Sequence, residues 1–147
     1  GRTVIKVQIS KLVEVKVCRW ISTDRPVYPV TGLERPELGP VDLASSINQE
    51  KRQRLADFVR AVDVLILDAM YTEDEYPTKI GWGHGTFKST LDLALSAQAK
   101  RIVFTHHEPV RTDDVLDAKL QEVQARLEGV EGAPEAIIAY EGLEIDL

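Results

Sequence analysis

Residues 63–68, Asp63-Val-Leu-Ile-Leu-Asp68, decide the fold. Four successive apolar residues stand between two carboxylates. Successive side chains of a strand point to opposite sides, so a short run that is apolar at every position reads as a strand buried on both faces. Ile102-Val103-Phe104, which leads into His106-His107, reads the same way. Sheets buried on both faces need helices to cover them, and stripes at helical spacing stand around both runs. Leu55, Phe58, Val59 and Val62 precede the first run. Phe87, Leu91, Ala94 and Leu95 separate the two runs, and Leu116, Leu120, Val123 and Leu127 follow the second.

The boundaries agree with this reading. Ser46 and Gln49 have capping-box spacing ahead of the first helix. Thr112 can cap the third, with Asp113 and Asp114 favourable in its first turn. Ala136 to Tyr140, after Gly132 and Pro134, reads as the last strand. Towards the N-terminus, residues 4–9 and 13–21 alternate polar and apolar, which predicts two strands and a hairpin through Ser10-Lys11. Residues 25–46 hold four prolines and two glycines and are expected to form a loop. The order predicts one α/β domain over 1–147, with helices packed on a sheet.

Composition narrows the function. The 147 residues suit one domain, and 44% hydrophobic content supports a core. Lys and Arg number 18 against 24 Asp and Glu, for a net charge of −6. That balance argues against sequence-independent nucleic-acid binding by this chain alone, which needs clustered cations. Cys18 is the single cysteine, so no disulfide can form within the chain. Its alternating surroundings predict a buried thiol, and its isolation fits a reducing, cytoplasmic setting. No apolar run reaches the ~18 residues that suggest a membrane span, and no signal peptide is visible.

Three candidate groups follow strands: Asp24 after 13–21, Asp68 after 63–67 and His106 after 101–105. Sites in α/β sheets gather at the carboxyl ends of strands, so these groups can meet if their strands are parallel neighbours. Singly, each has a plainer explanation as a turn residue, a loop cap or a structural histidine. Gly81-Trp-Gly-His-Gly-Thr86 carries more information. Its glycines permit positive φ and close backbone approach. A helix starting at Thr86 would set His84 beside a partial positive charge that disfavours protonation. Dinucleotide-loop spacing and a glycine-lysine phosphate loop are both absent.

Together, Asp63-Val-Leu-Ile-Leu-Asp-Ala-Met-Tyr-Thr-Glu-Asp-Glu-Tyr76, Gly81-Trp-Gly-His-Gly-Thr86 and Phe104-Thr-His-His-Glu-Pro109 resemble the C-terminal part of metallo-β-lactamase-fold hydrolases, in particular the phosphodiesterase branch that includes ribonuclease Z. Ala139 to Leu147 resembles that family's C-terminus. The resemblance implies half of an αββα sandwich, a mixed sheet with helices on one face. It implies a site with two zinc ions, manganese or iron being alternatives, that supplies hydroxide to a small phosphodiester or nucleotide-type substrate. Asp24 then corresponds to the carboxylate that bridges the ions and His106 to the last metal-binding histidine. His84 corresponds to the histidine that assists the leaving group, with Asp68 placed to orient it. His107 and Thr86 are expected to support the ligands from behind.

Two departures stand out. The family usually has Ser where this chain has Gly85, a change expected to loosen the histidine loop. The family's His-x-His-x-Asp-His motif is absent, and the only histidines are His84, His106 and His107. Zinc sites usually use three or four protein ligands. Asp24 and His106 fall short, and a homodimer repeats the deficit. The chain starts at Gly1 and has only 23 residues before Asp24, so it is expected to lack the N-terminal half. It is then expected to be inactive alone and to need a covering partner, as a homo-oligomer or with the missing half. The alternative is a non-catalytic, receiver-like signalling module, with Asp68 as phosphoacceptor, followed by Met70 and Pro77, and Thr105 after the later strand.

Overall fold

The computed structural model describes residues 4–6 and 49–146. The expected strand over 13–21, Cys18, Asp24, the loop over 25–46 and the cap at Ser46 lie outside these residues. So does the strand expected over 4–9 beyond Lys6.

The elements run β1 (Val4–Lys6), α1 (Gln49–Phe58), β2 (Leu65–Asp68), a 3-10 turn (Tyr76–Thr78), α2 (Phe87–Ser96), β3 (Arg101–Thr105), α3 (Asp113–Leu127), β4 (Glu135–Ile138) and β5 (Glu144–Asp146). Strands β2, β3 and β4 form a parallel sheet in that order. Leu65 stands opposite Ile102, and Ile102 opposite Ala136. Parallel neighbours need a crossover, and α2 and α3 supply the two. Strand β1 pairs antiparallel with β5 in a separate two-stranded sheet. The architecture is mixed α/β.

Alternation along the strands separates two apolar faces. Leu65, Leu67, Ile102 and Phe104 pack with Val59 of the turn after α1, with Phe87 and Leu91 of α2, and with Val123 of α3. Val64 and Val103 point the other way and pack with Ala139, Leu143 and Ile145. The helix-side cluster is the larger and holds the largest fully buried side chains, among them Phe104, Leu65 and Leu91. Burying such a side chain contributes about 1.5–3 kcal/mol, so truncating Leu67 to Ala should cost about 2–5 kcal/mol.

Three expectations need correction. Ala136 to Tyr140 is not the last strand. Pairing within it stops at Ile138, the chain turns with Gly142 at φ 88°, and β5 follows. Thr112 does occupy the N-cap of α3, but its hydroxyl makes no capping bond. Its carbonyl accepts from the amides of Val115 and Leu116 instead. The strand expected from residue 63 begins at Leu65. Asp63 faces outward and pairs with Lys100 at 2.7 Å.

Candidate metal centre

The parallel register brings the candidate groups together. Asp68 ends β2 opposite Thr105, the last residue of β3, and the Ala69 amide donates to the Thr105 carbonyl. The residues just beyond both strands are therefore neighbours at one carboxyl edge. His106 then adopts φ 60°, in the left-handed region. That conformation costs about 1–2 kcal/mol for a residue with a Cβ. It ends the extended chain and sets the imidazole beside Asp68.

Asp68 is buried, with 4% of its surface exposed. Its Oδ2 lies 2.9 Å from His84 Nδ1 and 2.6 Å from His106 Nδ1. Its Oδ1 accepts from the amides of Gly85 at 2.8 Å and Met70 at 3.3 Å. An ionised carboxylate has about four acceptor sites, and four donors fill them here. It can only accept, so each histidine carries its proton on Nδ1. In the neutral rings, Nε2 on the opposite edge then holds a free lone pair. The two rings meet edge to face with centroids 4.8 Å apart.

The loop from Gly81 is built to hold His84. Thr86 caps α2: its hydroxyl accepts from the Ser89 amide, and its own amide donates to Ser89 Oγ. Thr90 Oγ1 donates to the Asp68 carbonyl at 2.6 Å. This packing corrects the expectation for Gly85. A Cβ there would stand 2.8 Å from the Asp68 carbonyl oxygen and 3.0 Å from Thr90 Oγ1. The missing side chain lets the loop close on the strand and does not loosen it.

Further residues brace the edge. Tyr71 pairs with Thr86 and sets its ring edge-on to His84 at 5.7 Å. Burial, together with Glu108, Asp68 and Glu75, raises its hydroxyl above the usual phenol range, so it stays protonated. Arg111 donates to the Met70 carbonyl at 3.0 Å and to Glu75 Oε2 at 2.7 Å, clamping the loop after β2. Burial works to raise the Glu75 carboxyl. Hydrogen bonds from Arg111 and the Thr72 backbone outweigh it and hold the group below its ordinary value. Sequence reasoning missed Tyr71 and Arg111, because neither stands at a recognisable boundary.

His107 points elsewhere. Its ring stacks on Phe87 at 5.9 Å, nearly parallel, and neither ring nitrogen has a hydrogen bond of normal geometry. Burial lowers its pKa, helped by the Arg111 charge, against the weaker opposing pull of Asp68 and the Ala139 backbone. It stays neutral behind the site.

Asp68, His84 and His106 form a possible metal-binding group, each offering a ligand atom within 4.8 Å of the others. The geometry sorts their roles. Two ligands on one tetrahedral zinc stand about 3.3 Å apart, given bonds of about 2.0 Å. The Asp68–Nδ1 separations of 2.6 and 2.9 Å are hydrogen bonds. Asp68 therefore orients imidazoles, and the ring nitrogens it leaves free are the two Nε2 atoms. A carboxylate behind a metal-binding histidine is a recurrent arrangement, and the donor set suits a divalent cation. It fills only part of a coordination shell. The cleft of about 240 Å³ bordered by Lys88, Lys119 and Arg126 lies away from these residues, on the helix side.

No family model and no curated protein matches the sequence. Solved structures do. The metallo-β-lactamase-fold protein YhfI from Bacillus subtilis is 21% identical with a TM-score of 0.48, over 64% of this chain and 35% of that one. A diphosphatase from the PhnP family is 18% identical with a TM-score of 0.39, over 63% of this chain and 29% of that one. The chain thus spans about a third of the length of each. No helix among the described residues is long and apolar enough to cross a membrane.

Proposed function

We propose that this chain is the C-terminal part of a metallo-β-lactamase-fold, metal-dependent hydrolase acting on phosphodiesters, in the ribonuclease Z-like branch. One observation carries the reading: a single buried carboxylate holds two imidazoles by Nδ1 at the carboxyl edge of a parallel sheet. The motifs quoted above support it by resemblance.

A divalent cation, zinc above others, would be held by His106 Nε2, with Asp24 and further ligands completing its shell. When bound, it supplies Lewis acidity and a nucleophile at neutral pH. The chain's own residues do the rest. Asp68 fixes both tautomers. His84 Nε2, protonated, donates to the departing oxygen, and the resulting neutral ring keeps its Nδ1 proton on Asp68. Tyr71 and the Thr86 cap hold that ring in place.

Asp68, His84 and His106 are the metal-binding group among the described residues, and the histidines of the sequence number three, so our reading takes the remaining ligands from a second segment. We therefore assign catalysis to an assembly with a segment carrying the His-x-His-x-Asp-His motif. Calorimetric titration of the chain with Zn²⁺ tests this. The expected result is weak, submillimolar-to-micromolar binding that His106→Ala removes. Two tight ions per chain, or binding indifferent to His106→Ala, would contradict it.

The receiver-like alternative is weaker. A phosphoacceptor must present a free carboxylate oxygen, and all the acceptor sites of Asp68 are engaged.

A further inference from the structure

The loop leading to His84 carries a second arrangement that the hydrolytic roles do not use. Ile80 and Trp82 are 63% and 62% exposed, although large apolar side chains gain most from burial. Gly81 and Gly83 flank the indole, both at φ 86°. The left-handed turns on either side hold Trp82 away from the core. The Lys79 ammonium lies over the Trp82 ring at 4.4 Å and over the Tyr71 ring at 5.7 Å. Tyr71 in turn touches His84. An unbroken path of contacts therefore runs from His84 through Tyr71 and Lys79 to Trp82.

The charge on Lys79 is held differently from those of Lys88, Lys100 and Lys119. Those three each meet a carboxylate, on Asp92, Asp63 and Glu122. Lys79 is placed over two ring faces and is in no ion pair among the described residues. Ring quadrupoles hold a cation without neutralising it, so its field remains available to an anion. The indole shields one side of the ammonium and offers its remaining surface to a planar group.

We propose that Lys79 and Trp82 form a recognition subsite for phosphate esters that carry a planar ring: Lys79 attracts the phosphoryl oxygens and Trp82 stacks on the ring. This rests on reading the His84 edge as a phosphodiesterase site and adds the two residues that would select an ester by its planar ring. A sugar phosphate without a planar ring satisfies Lys79 alone. A nucleoside without phosphate satisfies Trp82 alone.

Calorimetry on the full chain, without added metal, tests the division with four probes: adenosine monophosphate, phenyl phosphate, ribose 5-phosphate and adenosine. Adenosine monophosphate and phenyl phosphate are expected to bind best. Trp82→Leu should weaken both about tenfold, the usual size of a lost base–aromatic stack, and leave ribose 5-phosphate unchanged. Lys79→Met should weaken the three phosphates about fivefold, the scale of a solvent-exposed ion contact, and leave adenosine unchanged. Circular dichroism confirms that both variants fold, and Lys79→Arg should restore phosphate binding. Equal affinities for adenosine monophosphate and ribose 5-phosphate, with no effect of Trp82→Leu, would overturn the subsite. So would a change in sedimentation on Trp82→Leu with all probes unaffected, which would give the indole to a protein contact. The Zn²⁺ titration separates the two readings. Failed metal binding beside the expected probe pattern removes the hydrolase and leaves the subsite. Normal metal binding with no probe pattern removes the subsite alone.

Discussion

Asp68 and His106 come from the ends of adjacent parallel strands, and their side chains meet at 2.6 Å between Oδ2 and Nδ1. The same oxygen takes the Nδ1 of His84, which the chain brings back from the loop before α2. One buried carboxylate thus sets the tautomer of two imidazoles that are 22 residues apart in sequence.

Removing that carboxylate should cost both stability and metal affinity. Asp68→Ala leaves two backbone amides and two ring N–H groups without their acceptor. We expect a loss of about 3 kcal/mol in chemical denaturation, the upper range for one buried unsatisfied group. Asp68→Asn keeps the volume but offers one acceptor oxygen in place of two. It should fold and bind Zn²⁺ about 10–100-fold more weakly than the parent, the usual effect of losing the group behind a metal-binding histidine.

Gly85 and Gly83 should respond differently to alanine, although they stand two residues apart. At Gly85 the added methyl meets the Asp68 carbonyl at 2.8 Å, so the loop must move off the strand. A cost of about 1–3 kcal/mol is expected, as for overpacking, together with weaker Zn²⁺ binding. At Gly83 nothing lies within 4 Å, but φ is 86°. That substitution should cost about 1 kcal/mol from the backbone alone and leave Zn²⁺ affinity near the parent value. Thermal denaturation and metal titration of both variants check the contrast.

Much of this was legible in the sequence, and the reasons differ by feature. Strands β2 and β3 declared themselves because burial on both faces demands continuous apolar runs. The helix start near Thr86 and the His84 loop showed in the glycine spacing, whereas the capping role of Thr86 did not. Parallel pairing did not show, since a strand's direction relative to its neighbour leaves no local mark. The closure at Gly85 depends on where the Asp68 carbonyl stands, which is a tertiary fact. Strand β5 was missed because three residues, Glu144 to Asp146, are too short for alternation to stand out.

His107 should make stability fall in acid. Burial, aided by Arg111, lowers its pKa in the folded protein below the ordinary 6.5. Above 6.5 both states are neutral and the full stability is present. As pH falls below 6.5 the unfolded chain takes the proton first, so stability declines until the folded pKa is passed. Glu75 adds a second decline starting below about 4.5, because Arg111 and Thr72 hold its carboxylate ionised in the fold. His107→Phe keeps the stack on Phe87 and should flatten the first decline while sparing the second. Urea unfolding between pH 7.5 and 4 measures both.

Arg111 should act as a clamp on the loop after β2. Arg111→Met deletes its bonds to Met70 and Glu75 while keeping the apolar stem. A loss of about 2 kcal/mol is expected, within the range for hydrogen bonds to charged groups. Faster proteolysis within 71–78 should accompany it, read by mass spectrometry of the first cleavage products.

The central claim is that Asp68 holds both imidazoles by Nδ1 and so reserves their Nε2 atoms for chemistry. Long-range ¹⁵N–¹H correlation of the imidazole rings at neutral pH, before and after Zn²⁺, reads this directly. Without the ion, His84 and His106 should both show the Nδ1–H tautomer, and Zn²⁺ should shift Nε2 of His106. An Nε2–H tautomer in either ring, or coordination of His106 through Nδ1, would contradict the account.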